Sequence, residues 1–126
     1  MRTRLPLALL FATALTLGLT SQAKAVGIEQ WLDLVESSLP DMLCEKSAYF
    51  RQCFEIDDAQ CRSTLSSTFQ ECLTIYLDHL PEQINTSADG AHWGQMLGSC
   101  AGTKFEMQLT ELKNQNARCN DITQWQ

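Results

Sequence analysis

From Ile28 onward the apolar residues recur at three- and four-residue intervals rather than in alternation. That is the pattern of helices facing a shared core. Trp31, Leu32, Val35 and Leu39 fall on one side of a first helix over about 28–39. Pro40 sits where a second helix can begin, because a proline at the first helical position gives up a donor the helix does not use. Ser38 is the expected cap of that second helix, and Met42, Leu43, Tyr49, Phe50 and Phe54 are its apolar surface. Asp57-Asp58-Ala59-Gln60 marks a restart, with Asp57 as N-cap and Gln60 three residues later. The third helix, about 58–80, places Cys61, Leu65, Phe69, Cys72, Leu73, Tyr76, Leu77 and Leu80 in one stripe and ends at Pro81. A polar loop leads to a fourth helix over about 89–113, followed by a tail that carries Cys119 and Trp125. The expectation is an all-α domain: a small disulfide-bonded bundle of about four helices with a central helical hairpin over about 40–80.

The first 25 residues have a different character. Met1-Arg2-Thr3-Arg4 is a basic start, Leu5–Leu19 is an apolar run of 15 residues, and Ala23-Lys24-Ala25 is a small-x-small cleavage site. This is the layout of a secretory leader, and the run is short for a membrane span, which needs about 20 residues. Residues 1–25 therefore read as a cleaved signal peptide and 26–126 as one domain with no stable membrane insertion after cleavage. The expected location is periplasmic or secreted.

The cysteines agree with that address. Cys44, Cys53, Cys61, Cys72, Cys100 and Cys119 make an even number and none lies in the leader, as in a small exported domain held by disulfides. The closest two have seven residues between them, wider than the paired spacing of structural zinc sites. Cys53 and Cys61 are symmetric about Asp57, and Cys44 and Cys72 about Asp58. A hairpin folded there would join both pairs as nested rungs and leave Cys100 for Cys119. Such nesting resembles, at the supersecondary level alone, the twin-cysteine helical hairpins of small oxidised proteins. One geometric argument opposes it. Cys44 and Cys53, nine residues apart, fall on opposite faces of a continuous helix at about 100° per residue.

Gly90, Gly94, Gly98 and Gly102 recur at strict four-residue spacing within the fourth helix. Each glycine costs about 1 kcal/mol relative to alanine in a helix interior, so the row needs compensation from packing. Four-residue spacing sets the glycines along one ridge on the apolar side, expected to be buried by close approach of the first or third helix. Contact with another subunit or with a partner protein is the alternative such a ridge would accept.

Composition narrows the function. Three of the nine Lys and Arg (Arg2, Arg4, Lys24) leave with the leader while all 15 Asp and Glu remain, giving the mature chain a balance of −9. General electrostatic binding to nucleic acid or to an anionic membrane is excluded by that sign. The only histidines are His79 and His92. With Glu82 or Asp89 they could gather a metal, but no ligand motif joins them. Asp57-Asp58 is explained by capping, and Ser63, Ser66 and Ser67 by the polar side of the third helix. No cofactor and no catalytic residue is expected. The leading reading is a non-enzymatic module of the bacterial envelope or exterior that binds another, basic protein, as an inhibitor, immunity factor or accessory subunit, with Trp93 and Trp125 as candidate anchors. The alternative is a secreted effector or small hydrolase whose site follows no recognisable motif.

Overall fold

In a computed structural model, which describes residues 24–125, Asp57 caps the best-patterned helix as the sequence suggests. Its side chain accepts the Gln60 N–H at 2.7 Å, and α3 runs Asp58–Tyr76. A turn of 3-10 helix, Leu77–His79, extends it. The leader read as residues 1–25 lies outside the described residues apart from Lys24 and Ala25. No helix among the described residues is long and apolar enough to cross a membrane.

Helix α1 spans Ile28–Leu43, four residues beyond the expected end, and corrects the reading of Pro40. That proline lies inside α1, where its missing N–H removes one intrahelical bond, and the helix closes a turn later with the Cys44 N–H donating to the Pro40 carbonyl. Ser38 is no cap: its hydroxyl donates back to the Leu34 carbonyl at 2.7 Å. The second helix is correspondingly short, α2, Tyr49–Cys53. Between the two, the Glu45 carboxylate accepts both the backbone N–H and the hydroxyl of Ser47, a local turn that competes with helix.

Helix α4 runs Ser87–Gln108 and starts two residues earlier than expected. Thr86 and Asp89 form a reciprocal capping box, each side chain accepting the other's backbone N–H. A short antiparallel ladder pairs β1, Val26–Gly27, with β2, Gln83–Ile84, anchoring the start of α1 beside the start of α4. The chain finishes with 3-10 turns at Thr110–Leu112 and Ile122–Trp125.

The core lies mainly between α3 and α4, where Leu65, Phe69, Leu97, Ala101 and Phe105 are buried. Helix α2 adds Phe50, its ring 4.2 Å from that of Phe105, and Phe54 follows, edge-on to Phe105 at 5.4 Å. Trp31, Leu32, Val35 and Leu39 of α1 pack on this cluster half-buried.

All six cysteines are bridged, but not as nested rungs. The pairs are Cys44–Cys61, Cys53–Cys119 and Cys72–Cys100. The turn at Glu45–Ser47 provides the reason. It places Cys44 at the end of α1 and Cys53 at the end of α2, so the two never share a helix that could lie along α3. Cys61 and Cys72 do share one buried face of α3, yet one joins α1 and the other joins α4.

Candidate functional site: a glycine-floored groove and an acidic row

The glycine row performs two jobs at its two ends. At Gly90 an added Cβ would meet the Trp31 indole nitrogen at 3.3 Å and Ile84 at 3.5 Å. There the absent side chain admits the ring of α1. Gly102 stands 3.4 Å, by the same measure, from Phe50. Gly98 would meet nothing within 4 Å. The ridge is half-buried rather than buried, because α4 turns Leu97, Ala101 and Phe105 into the core and the glycines lie beside that stripe.

Over Gly98 and Gly102 the surface opens into a groove of about 500 Å³, within the size range of small-ligand sites. Leu39, Met42 and Leu43 of α1 form one wall, and Tyr49 and Phe50 of α2 close the end. The opposite wall is Ile122 and Trp125. Met42 and Ile122 are exposed at its lips.

Beside the groove, the Tyr49 hydroxyl donates to Glu106, and the Lys113 ammonium sits 3.7 Å from the same carboxylate and 5.7 Å from the centre of the tyrosine ring. Burial, then the hydrogen bond to Glu106, raises the Tyr49 pKa, so the phenol stays protonated. Interaction with the Tyr49 hydroxyl, then the charge of Glu106, raises that of Lys113. This cluster joins α2, α4 and the following segment through residues 57 positions apart, a separation at which no spacing in the sequence announces it. Trp125 packs on Tyr49 with ring centroids 5.6 Å apart, and the Arg118 guanidinium lies over its indole, 3.8 Å from the ring centroid.

The remaining sequence candidates disperse. His79 and His92 are both exposed, and His92 stacks edge-on beside Trp93 at 5.3 Å. Among the described residues no three His, Cys, Asp or Glu side chains are grouped to hold a metal ion. Asp58 binds Arg51 and Arg62, and Arg62 also reaches Asp41 at 2.6 Å. The Ser63 hydroxyl donates to the Gln60 carbonyl of its own helix.

A family model described as "T2SS substrate NttA" matches residues 25–114. The chain belongs to this family. As a substrate of the T2SS it is a secreted protein, and its three disulfides fit a protein that works outside the cytoplasm. No curated protein and no solved structure matches the chain. The family match covers the four helices and stops at Asn114, so Cys119 and the wall of the groove formed by Ile122 and Trp125 lie beyond it.

Charge is distributed unevenly over this secreted body. Of the six Lys and Arg from residue 26 onward, Arg51, Arg62, Lys104 and Lys113 are each engaged by a carboxylate, while Lys46 and Arg118 form no ion pair among the described residues. Glu29, Asp33 and Glu36 follow one another along α1 at helical spacing, and Glu82 adjoins Glu29 at the helix start. None of these four forms an ion pair among the described residues. Glu36 instead accepts a hydrogen bond from the Gln70 amide at 2.6 Å.

Proposed function

We propose that this NttA-family protein is a non-catalytic binding module that, once secreted, uses an acidic surface to engage another, basic protein. The observation that carries the reading is the row Glu82, Glu29, Asp33 and Glu36, left without a cationic partner while four basic side chains elsewhere are paired. On a rigid, cross-linked body such a row produces a directional field that speeds encounter with a cationic partner. The hydrolase alternative would need His79 or His92 facing a carboxylate or hydroxyl in a cleft. Both imidazoles are exposed, and neither lines the groove over Gly98.

The test uses the mature oxidised protein as bait against envelope and culture-supernatant fractions, alongside the Glu29→Gln/Asp33→Asn/Glu36→Gln variant. Raising ionic strength from about 0.1 to 1 M shortens the screening length from about 10 to 3 Å. The expected result is a basic protein held at low salt, released at high salt and not held by the variant. Retention indifferent to both salt and the three substitutions contradicts the proposal.

A further inference from the structure

Residues 116–125 are attached to the body without hydrogen bonds to it among the described residues. The Asn114 N–H donates to the Cys53 carbonyl at 2.8 Å and its side-chain amide donates to the Gln52 carbonyl at 3.1 Å. Beyond that point, every hydrogen bond made by residues 116–125 among the described residues stays within the segment. The Cys119 N–H donates to Asn116, Thr123 and Gln124 donate to the Asp121 carboxylate, and the Trp125 indole N–H donates to the Arg118 carbonyl. The segment is thus a self-contained turn joined to the helices by one disulfide, Cys53–Cys119, and by the apolar contacts of Ile122 and Trp125.

We propose that residues 116–125 form a displaceable strap, clipped by Cys53–Cys119, which covers part of the groove over Gly98 and Gly102 and opens without unfolding the helices. Local opening is cheapest where a segment contributes few buried contacts and no hydrogen bonds to the rest of the fold. Residues 120–124 are all exposed, while Tyr49 and Phe50, which the strap abuts, are held from beneath by Phe54 and Phe105. Lifting the strap therefore uncovers an apolar surface whose floor and far wall stay in place. The clip limits how far the strap can travel. This inference is independent of what the acidic row binds.

Native-state hydrogen exchange on the full mature chain tests it, read together with fluorescence of a dye that binds exposed apolar surface. In Cys53→Ser/Cys119→Ser, amides 118–125 should lose their protection outright, those of α3 and α4 should stay within about tenfold of wild type, and dye fluorescence should rise several-fold. In Ile122→Ala/Trp125→Ala, which keeps all three disulfides, the same amides should exchange faster with α3 and α4 unchanged. Strap amides that exchange in step with α3 and α4 in both variants would overturn the proposal. So would a released strap that leaves dye binding at the wild-type level.

Discussion

Helices α3 and α1 are of similar length, 19 and 16 residues, yet α3 buries Cys61, Leu65, Thr68, Phe69 and Cys72 whereas α1 buries no residue fully. The difference lies in what each one faces. Helix α3 meets the Leu97–Ala101–Phe105 stripe of α4 with interdigitating side chains and a disulfide across the seam. Helix α1 lies against the outer side of α3, tied to it by Cys44–Cys61 and by the Gln70–Glu36 hydrogen bond. It reaches the glycine side of α4 through Trp31, which fills the space that Gly90 leaves. One face of α4 is thus a packed core and the next a shelf. A shelf admits a large ring at one end and stays open as a groove at the other.

The comparison breaks most directly by truncating one side chain on each half. Phe69→Ala, at a buried ring of α3, should cost about 3–5 kcal/mol in denaturant unfolding. Val35→Ala, at a half-buried side chain of α1 packed on the same core, should cost about 1 kcal/mol. Equal costs would mean that α1 is packed as tightly as α3.

The shelf itself is probed by adding back what the glycines lack. Gly98→Ala places its methyl in open space and should stabilise the protein by about 1 kcal/mol through helix propensity. Gly90→Ala puts the same methyl 3.3 Å from Trp31, so the gain should be smaller or reversed. Thermal melts of the two variants compare them directly. Identical gains would show that the Trp31 contact yields freely.

These contacts also show where sequence reasoning succeeds. Helix α3 was legible because its cap, its stripe and its stop all agree. The start of α4 lies two residues before the expected Asp89 because Thr86-Ser87-Ala88-Asp89 carries the capping box. Thr86→Ala should cost about 1 kcal/mol by removing that cap, and α4's first-turn amides should lose hydrogen-exchange protection. The disulfide pairing was not legible, since symmetry about Asp57 presupposes a long second helix. A side-chain turn at Glu45–Ser47 removes that helix, and no spacing of cysteines records it. The groove was invisible for a related reason: its walls come from α1, α2 and a tail more than 70 residues later in the chain. The glycine row was legible as a spacing, but the open space over Gly98 was not.

The smallest expected effect concerns the ion pair across the α3–α4 seam. Lys104 donates to Glu71 at 3.0 Å and holds its carboxyl below the usual range. A depressed folded-state pKa adds stability above the ordinary glutamate value and loses it as the pH falls through the depressed one. Because that carboxylate is exposed, screening keeps the contribution slight. Wild type and Glu71→Gln should therefore differ a little in melting midpoint at neutral pH, and the difference should vanish under acid conditions. A difference that grows on acidification contradicts this assignment.

The claim on which the rest stands is that three particular bridges divide the body into a stitched helical core and a clipped strap. Non-reduced peptide mapping of the protein recovered from culture supernatant tests it directly. The account predicts no free thiol, with Cys44 joined to Cys61, Cys53 to Cys119 and Cys72 to Cys100. Recovery of Cys53 joined to Cys61 and Cys44 to Cys72 would contradict it, restoring the nested hairpin and leaving both the shelf and the strap without their frame.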